Sequence, residues 1–310
     1  MNILVLGGNG FIGSHLVDRL LGDGHAVRVF DKYEEHYRKP LSNVDYRFCD
    51  FGNRGVLAEA LQGIDIVFHL ICTSLPKTSN DDPAYDVQSN VIETLFLLDK
   101  CLEYGIKKVV YVSSGGTIYG RPSLLPVAED APHEPECSYG IIKLTIEKYL
   151  ALYRQLHGLE YVVVRPSNPY GPRQNPHGIQ GAIPVFLGKV ATGSPIEIWG
   201  DGEVVRDYLY IDDLIDCLCR AAFIDATERV FNVGCGEGVS LNCLLSIIRE
   251  LTGKDVLVNY SPARSFDVPA IYLDTSRAKV HLGWQPVASL YEGILQTWEF
   301  ISSIERDRSM

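Results

Sequence analysis

Tyr139 and Lys143 form Y-x-x-x-K, and on a helix this spacing puts the phenol and the ammonium on one face. An ammonium beside a phenol stabilises the phenolate, so a group that ordinarily ionises at about pH 10 becomes a base for a hydroxyl proton at neutral pH. Tyr104 and Lys108 repeat the spacing, but Gly105 lies between them where a helix gives way to a strand, and that pair reads as structural. Near the start of the chain, Gly7, Gly10 and Gly13 form G-x-x-G-x-x-G between a short apolar run and a helical pattern. Glycines so placed let the backbone turn tightly and approach a pyrophosphate at a helix N-terminus, which is dinucleotide chemistry. Asp31 ends the next apolar run, where a carboxylate accepts ribose hydroxyls and repels a 2′-phosphate; this favours NAD over NADP, with Lys32 beside it offsetting part of the repulsion.

These residues need a scaffold that brings a glycine turn and a later helix to one crevice. Apolar runs at 2–6, 26–30, 64–71, 107–113 and 160–165 read as strands, and helical periodicity covers 11–21, 87–104 and 139–157. Such alternation predicts an α/β fold, a Rossmann-type doubly wound parallel sheet. Beyond Arg165 the prolines and glycines crowd together, marking a boundary to a smaller C-terminal substrate-binding α/β domain. The expected division is 1–166 for the NAD-binding part, with a returning segment near 207–233, and 167–206 plus 234–310 for the substrate-binding part.

The chain of 310 residues is 46% hydrophobic and 22% charged, with 28 basic against 39 acidic side chains and a net charge of −11. That balance argues against nucleic-acid and anionic-membrane partners, which need a basic face. No apolar run approaches the length of a membrane helix and no leader pattern opens the chain, so a cytoplasmic protein is expected. The eight cysteines lack paired metal spacing and read as reduced thiols, with no metal site expected.

Further motifs extend the pattern: Asp50-Phe51, His69-Leu70, Asn90-Val91, Ser113–Gly120 (SSGGTIYG), Arg165–Gly171 (RPSNPYG), Gly200–Asp213 (GDGEVVRDYLYIDD), Arg264–Val268 (RSFDV) and Leu282-Gly283-Trp284. Together with the glycine turn and the Tyr/Lys pair they span nearly the whole chain. In that combination the sequence resembles the extended short-chain dehydrogenase/reductases, specifically the NAD-dependent epimerase/dehydratase family acting on nucleotide sugars, in the pattern of UDP-glucose (UDP-galactose) 4-epimerases. The resemblance implies that Phe11 and Ile12 lie under the pyrophosphate, that Asp50 and Phe51 hold the adenine, and that Leu70 and Asn90 sit beside the cofactor. It makes Tyr139 the base and Lys143 the partner of the nicotinamide ribose. Asn168, Arg206 and Arg264 would bind the substrate diphosphate, Asp267 its ribose, and Ile271 would stand at the gate of the hexose pocket. Isoleucine is smaller than the tyrosine that restricts this gate, which implies that UDP-N-acetylhexosamines are accepted as well as UDP-hexoses.

One position departs from the family. A Ser or Thr usually stands four residues before the tyrosine that is Tyr119 here, and this chain has Gly115. Thr117 and Ser114 are the hydroxyls that can replace it, and alternation along an extended segment favours Thr117. Dehydratases carry an acidic pair where this chain has Gly116 and Thr117, so elimination of water lacks its acid and base. The expected reaction is 4-epimerisation through a 4-keto sugar, with tightly held NAD. A 4-keto nucleotide-sugar reductase using NAD(P)H and a catalytically idle nucleotide sensor or scaffold are the competing readings. Related enzymes pair the two helices that here carry Val87, Val91, Leu95 and Leu98, and Ile142, Ile146, Tyr149 and Tyr153, across a two-fold axis; a homodimer is therefore expected.

Overall fold

The computed structural model describes residues 1–263 and 268–309. Six strands come first: β1 (Asn2–Leu6), β2 (Ala26–Asp31), β3 (Val44–Phe48), β4 (Ile66–His69), β5 (Lys108–Val112) and β6 (Tyr161–Pro166). The short strands β7 (Asn168–Tyr170), β8 (Ile196–Trp199), β9 (Val205–Arg206) and β10 (Tyr208–Tyr210) follow, then β11 (Val230–Val233). Seven of these form one sheet in the order β11-β6-β5-β4-β1-β2-β3, with every neighbouring pair parallel. The strand order reverses between β1 and β4, and ligands of such sheets bind outside the carboxyl ends at that crevice.

β4 and β6 are buried along their whole lengths, as strands covered on both faces must be. On one face Leu16, Val17 and Leu20 of α1 (Phe11–Gly22) pack with Ile3, Val5, Phe68 and Val110. The other face takes α2 (Arg54–Leu61), whose Leu57 and Leu61 meet Leu4, Leu6, Val67 and Val109. The helix expected over 87–104 is two pieces, a π-helical turn (Val87–Ile92) and α4 (Glu93–Glu103), preceded by the short α3 (Pro83–Asp86). Tyr104 ends α4 and Lys108 opens β5, so the second Y-x-x-x-K pair straddles a turn. α5 (Ser138–His157) carries Tyr139. Of the apolar stripe read as an intersubunit surface, Val91, Leu98, Ile142 and Ile146 are core residues that each helix lays on its own sheet, whereas Leu95, Tyr149 and Tyr153 are half-buried and Val87 is exposed. The exposed apolar residues of these helices are Val87, Ile141, Leu152 and Leu156.

After β6 the chain forms α6 (Ala182–Ala191), and it returns to the sheet through α7 (Ile211–Phe223) and β11. The later elements are β12 (Val239–Ser240), α8 (Leu241–Thr252), β13 (Val258–Ser261), β14 (Ala270–Ile271), α9 (Ser276–Leu282) and α10 (Leu290–Ser309). Small sheets join β10 to β7, β12 and β14 to β9, and β13 to β8. No helix among the described residues is long and apolar enough to cross a membrane. All eight cysteines are free thiols.

Candidate functional site

The glycine turn leaves β1 with Gly7 at φ +84°, a conformation that favours glycine. The Gly7 N–H bonds the Phe30 carbonyl at 2.8 Å, which ties the turn to the end of β2. A Cβ on Gly13 would lie 2.0 Å from the Gly7 carbonyl oxygen and 2.7 Å from Gly8 Cα, so α1 approaches the turn as only glycine permits. Phe11 and Ile12 open α1, which has no capping side chain and no acidic residue in its first turn. Its positive end is thereby suited to an anion. Asp31 accepts from the Asn9 N–H at 3.0 Å and the Tyr33 N–H at 3.2 Å, while burial pushes its carboxyl up. Lys32 does not sit over Asp31. Its ammonium pairs with Asp50 Oδ2 at 3.1 Å, so this cation is already engaged with a carboxylate.

Phe51 is buried with its ring 5.2 Å from His69, and Leu70 is half-buried at the end of β4. Burial, and then the Lys143 charge, lower the His69 pKa to about 3, keeping the imidazole neutral. Asn90 is buried and its amide is used inside the protein: Oδ1 accepts from the Thr73 N–H at 3.0 Å, and Nδ2 donates to Thr73 Oγ1 at 2.7 Å and to Asp86 Oδ1 at 2.9 Å. It therefore supports the loop after β4. The open helix end, the close glycine packing and the carboxylate at the end of β2 fit a dinucleotide at this crevice.

Tyr139 is the second residue of α5 and Lys143 follows one turn later, buried. The Lys143 ammonium donates to the Val112 carbonyl at 2.8 Å and lies 5.6 Å from the Tyr139 ring centroid and 4.9 Å from that of Tyr111. Burial drives the Tyr139 phenol well up, with the Cys72 and Cys137 thiols and the Asp86 carboxylate adding to the rise; burial also drives the Lys143 ammonium down. A lowered phenol is thus not built into the protein alone, because the cost of desolvating the charge outweighs the neighbouring ammonium.

The Ser113–Gly120 segment runs beside this pair. A Cβ on Gly140 would meet the Thr117 carbonyl oxygen at 2.7 Å, which shows how closely Thr117 lies against the first turn of α5. Thr117 Oγ1 is buried and has no hydrogen-bond partner among the described residues, an arrangement that is costly unless a ligand uses it. Ser114 is half-buried. A Cβ on Gly115 would stand 2.4 Å from Leu273 Cδ1 and 3.0 Å from the Arg165 carbonyl oxygen. Leu273 occupies the space that the usual Ser or Thr would need. The segment is pinned from below, where Ser113 Oγ donates to Glu147 at 2.5 Å, Arg165 pairs with the same carboxylate at 2.6 Å, and Arg165 Nη1 donates to Tyr119 OH at 2.8 Å. The motifs carry Ser113, Tyr119 and Arg165; Glu147 escapes them, although it lies one turn beyond Lys143 on the same face of α5.

A separate cavity of about 280 Å³ is lined by Asn168, Phe186, Glu197, Trp199, Arg206 and Tyr208 among others. Asn168 Nδ2 donates to the Asp207 carbonyl at 2.8 Å, and Arg206 Nη1 donates to the Val268 carbonyl at 2.7 Å. Tyr208 OH is buried without a partner among the described residues. The structure thus brings Asn168 and Arg206 to one cavity, with the aromatic residues Phe186, Trp199 and Tyr208, which spacing alone does not single out. Arg264 and Asp267 lie outside the described residues. Ile271 is 2% exposed and packs with Ile118, Tyr119, Val127 and Leu273, so its side chain backs the loop rather than forming an open wall. Among the described residues no group of three or more His, Cys, Asp or Glu side chains is placed to hold a metal ion.

The family described as NAD dependent epimerase/dehydratase matches residues 3–234. A UDP-glucose 4-epimerase of Mycolicibacterium smegmatis is 38% identical over 309 residues, covering 97% of this chain and 98% of that protein. The crystal structure of a UDP-glucose 4-epimerase from Thermotoga maritima with UDP-glucose superposes with a TM-score of 0.94 at 38% identity, covering 98% of this chain and 100% of that one. A UDP-glucose 4-epimerase from Thermus thermophilus in complex with NAD gives 0.91 at 34% identity, over 97% of this chain and 99% of that one.

Proposed function

The chain belongs to the NAD dependent epimerase/dehydratase family, and from that premise we propose that it is an NAD-dependent UDP-sugar 4-epimerase. The observation that carries this reading is the Tyr139–Lys143 pair on one face of α5, with the buried Lys143 anchored on the Val112 carbonyl at the carboxyl end of β5. The residues to hold NAD are Gly7, Gly10, Phe11, Ile12, Gly13, Asp31, Asp50, Phe51 and Leu70, with Asn90, Tyr139 and Lys143 beside its nicotinamide end as the family resemblance implies. When bound, NAD supplies reversible hydride exchange with the sugar carbon C4. Tyr139 takes the proton of the 4-hydroxyl and returns it after the 4-keto sugar has turned over. Lys143 keeps a positive charge beside the phenol, favouring its ionised form.

Thr117 supplies the hydroxyl that Gly115 lacks. Its unpartnered oxygen beside α5 supports this assignment over Ser114. Thr117→Val keeps the shape and removes the hydroxyl; it lowers kcat by about 10²- to 10³-fold with little change in KM, the range for a single proton-handling or oxyanion contact. An unchanged kcat in steady-state kinetics would pass the role to Ser114.

Asn168 and Arg206 hold the nucleotide diphosphate, joined by Arg264, with Asp267 at the ribose, as the family resemblance implies, so that the hexose turns while the other end stays fixed. The division into a cofactor part at 1–166 with 207–233 and a substrate part at 167–206 and 234–310 follows the same separation of tasks. Ile141, Leu152 and Leu156 form an exposed apolar stripe on α5, which supports a homodimer through this helix. The free thiols suit the reducing cytoplasm.

The test is proton NMR of the anomeric signals after incubation of purified protein, without added cofactor, with UDP-glucose and with UDP-N-acetylglucosamine in separate tubes. The galacto epimer is expected with UDP-glucose; turnover of the N-acetyl sugar tests the gate that the family resemblance puts at Ile271, whose buried side chain does not itself form an open wall. Absence of epimer in both tubes, with consumption of a 4-keto nucleotide sugar only when NADH or NADPH is supplied, would replace the epimerase by a reductase.

A further inference from the structure

Asp86 closes α3 directly before the π-helical turn, and its side chain is 1% exposed. A carboxylate this deep is stable only when its oxygens are well satisfied. It accepts from Ser74 Oγ at 2.5 Å, from Ser138 Oγ at 2.7 Å and from Asn90 Nδ2 at 2.9 Å, all neutral donors. These donors come from three elements: the loop after β4, the first residue of α5, and the π-helical turn. The same start of α5 is held a second time, since the Ser138 N–H donates to Asn80 Oδ1 at 2.9 Å. Tyr139 is the next residue. π-Helical turns inside helices recur at functional sites, and here the turn puts Asn90 where it reaches both Thr73 and Asp86.

We propose that Asp86 is a positioning residue for Tyr139, clamping the first turn of α5 to the loop after β4 and setting, through its charge, the pH range in which Tyr139 and Lys143 work. The inference rests on the epimerase reading above. The groups that act on this pair are Lys143 and Glu147 on α5, Cys137 before it, Cys72 after β4, Tyr111 on β5 and Asp86 itself. Asp86 is the carboxylate among them that acts on both members and also bonds the residue beside Tyr139. Its negative charge opposes the phenolate and supports the ammonium.

The experiment compares pH profiles of kcat/KM and kcat for the wild type, Asp86→Asn and Ser138→Ala, with UDP-glucose as substrate. Asparagine keeps the shape and can pair with both serine hydroxyls, so Asp86→Asn removes mainly the charge. Without that charge both the phenol and the ammonium lose protons more readily, and both limbs of the profile move to lower pH by about one unit. Ser138→Ala keeps the charge and loosens the clamp; its limbs stay in place while kcat falls about 10-fold with KM within about twofold of wild type. Limbs of Asp86→Asn that coincide with those of the wild type, or a wild-type kcat in Ser138→Ala, overturn the proposal. If Asp86→Asn does not fold, Ser138→Ala decides alone. An inactive wild type would instead overturn the epimerase reading.

Discussion

Tyr139→Phe lowers kcat by about 10³-fold while the purified protein retains NAD and binds UDP-glucose with near wild-type affinity. The phenol hydroxyl is the only atom removed, and a positioned acid–base group contributes about 10²- to 10⁴-fold. The ring keeps its place because its packing does not depend on the hydroxyl, and Lys143 keeps its bond to the Val112 carbonyl at 2.8 Å. The upper part of that range is expected here, because Tyr139 is the residue that both takes and returns the proton. The check is a progress curve at substrate saturation beside an NAD measurement on denatured protein. A variant within tenfold of wild type would move the base elsewhere; a variant without NAD would mean that the phenol serves binding.

Gly13→Ala abolishes retained NAD and with it all turnover. The added Cβ would stand 2.0 Å from the Gly7 carbonyl oxygen and 2.7 Å from Gly8 Cα. Both obstacles are backbone, which no side-chain rotation relieves, so α1 must withdraw from the turn or the turn must open. Either movement spoils the approach of backbone to pyrophosphate on which the site depends. Overpacking of this kind also costs about 1–3 kcal/mol of stability, so the melting temperature falls as well. NAD content by absorbance after denaturation, together with a thermal melt, checks the result; full NAD occupancy would show that the third glycine serves helix packing alone.

Features that depend on local spacing were legible in the sequence. The glycine turn, the carboxylate ending β2 and the Y-x-x-x-K pair are set within a few residues each, and the alternation of Val-rich runs with amphipathic helices implies the parallel sheet. β3 was harder to see because Val44–Phe48 includes Asp45 and Arg47 and sits half-exposed at the sheet edge. α6 was hidden by Pro184 and Gly188; the glycine is there because a Cβ would meet the Pro176 carbonyl oxygen at 2.7 Å. Four residues of the stripes, Val91, Leu98, Ile142 and Ile146, serve each helix's own core, because a helix covering a sheet needs an apolar face there first. Gly115 could be flagged as unusual, but its reason lies with Leu273, far along the chain. The raised phenol of Tyr139 follows from burial, which spacing does not encode. Asp86, with no chemistry suggested by its neighbours in sequence, gains its place only when three elements converge on it.

The central claim is that hydrogen leaves C4 of the sugar and returns to the opposite face within one bound complex. UDP-glucose carrying deuterium at C4, incubated with the purified protein in ordinary water without added cofactor, tests this most directly by proton NMR of the UDP-galactose formed. The account predicts UDP-galactose with the deuterium still on C4. Product with ordinary hydrogen at C4, or no UDP-galactose at all, would contradict it.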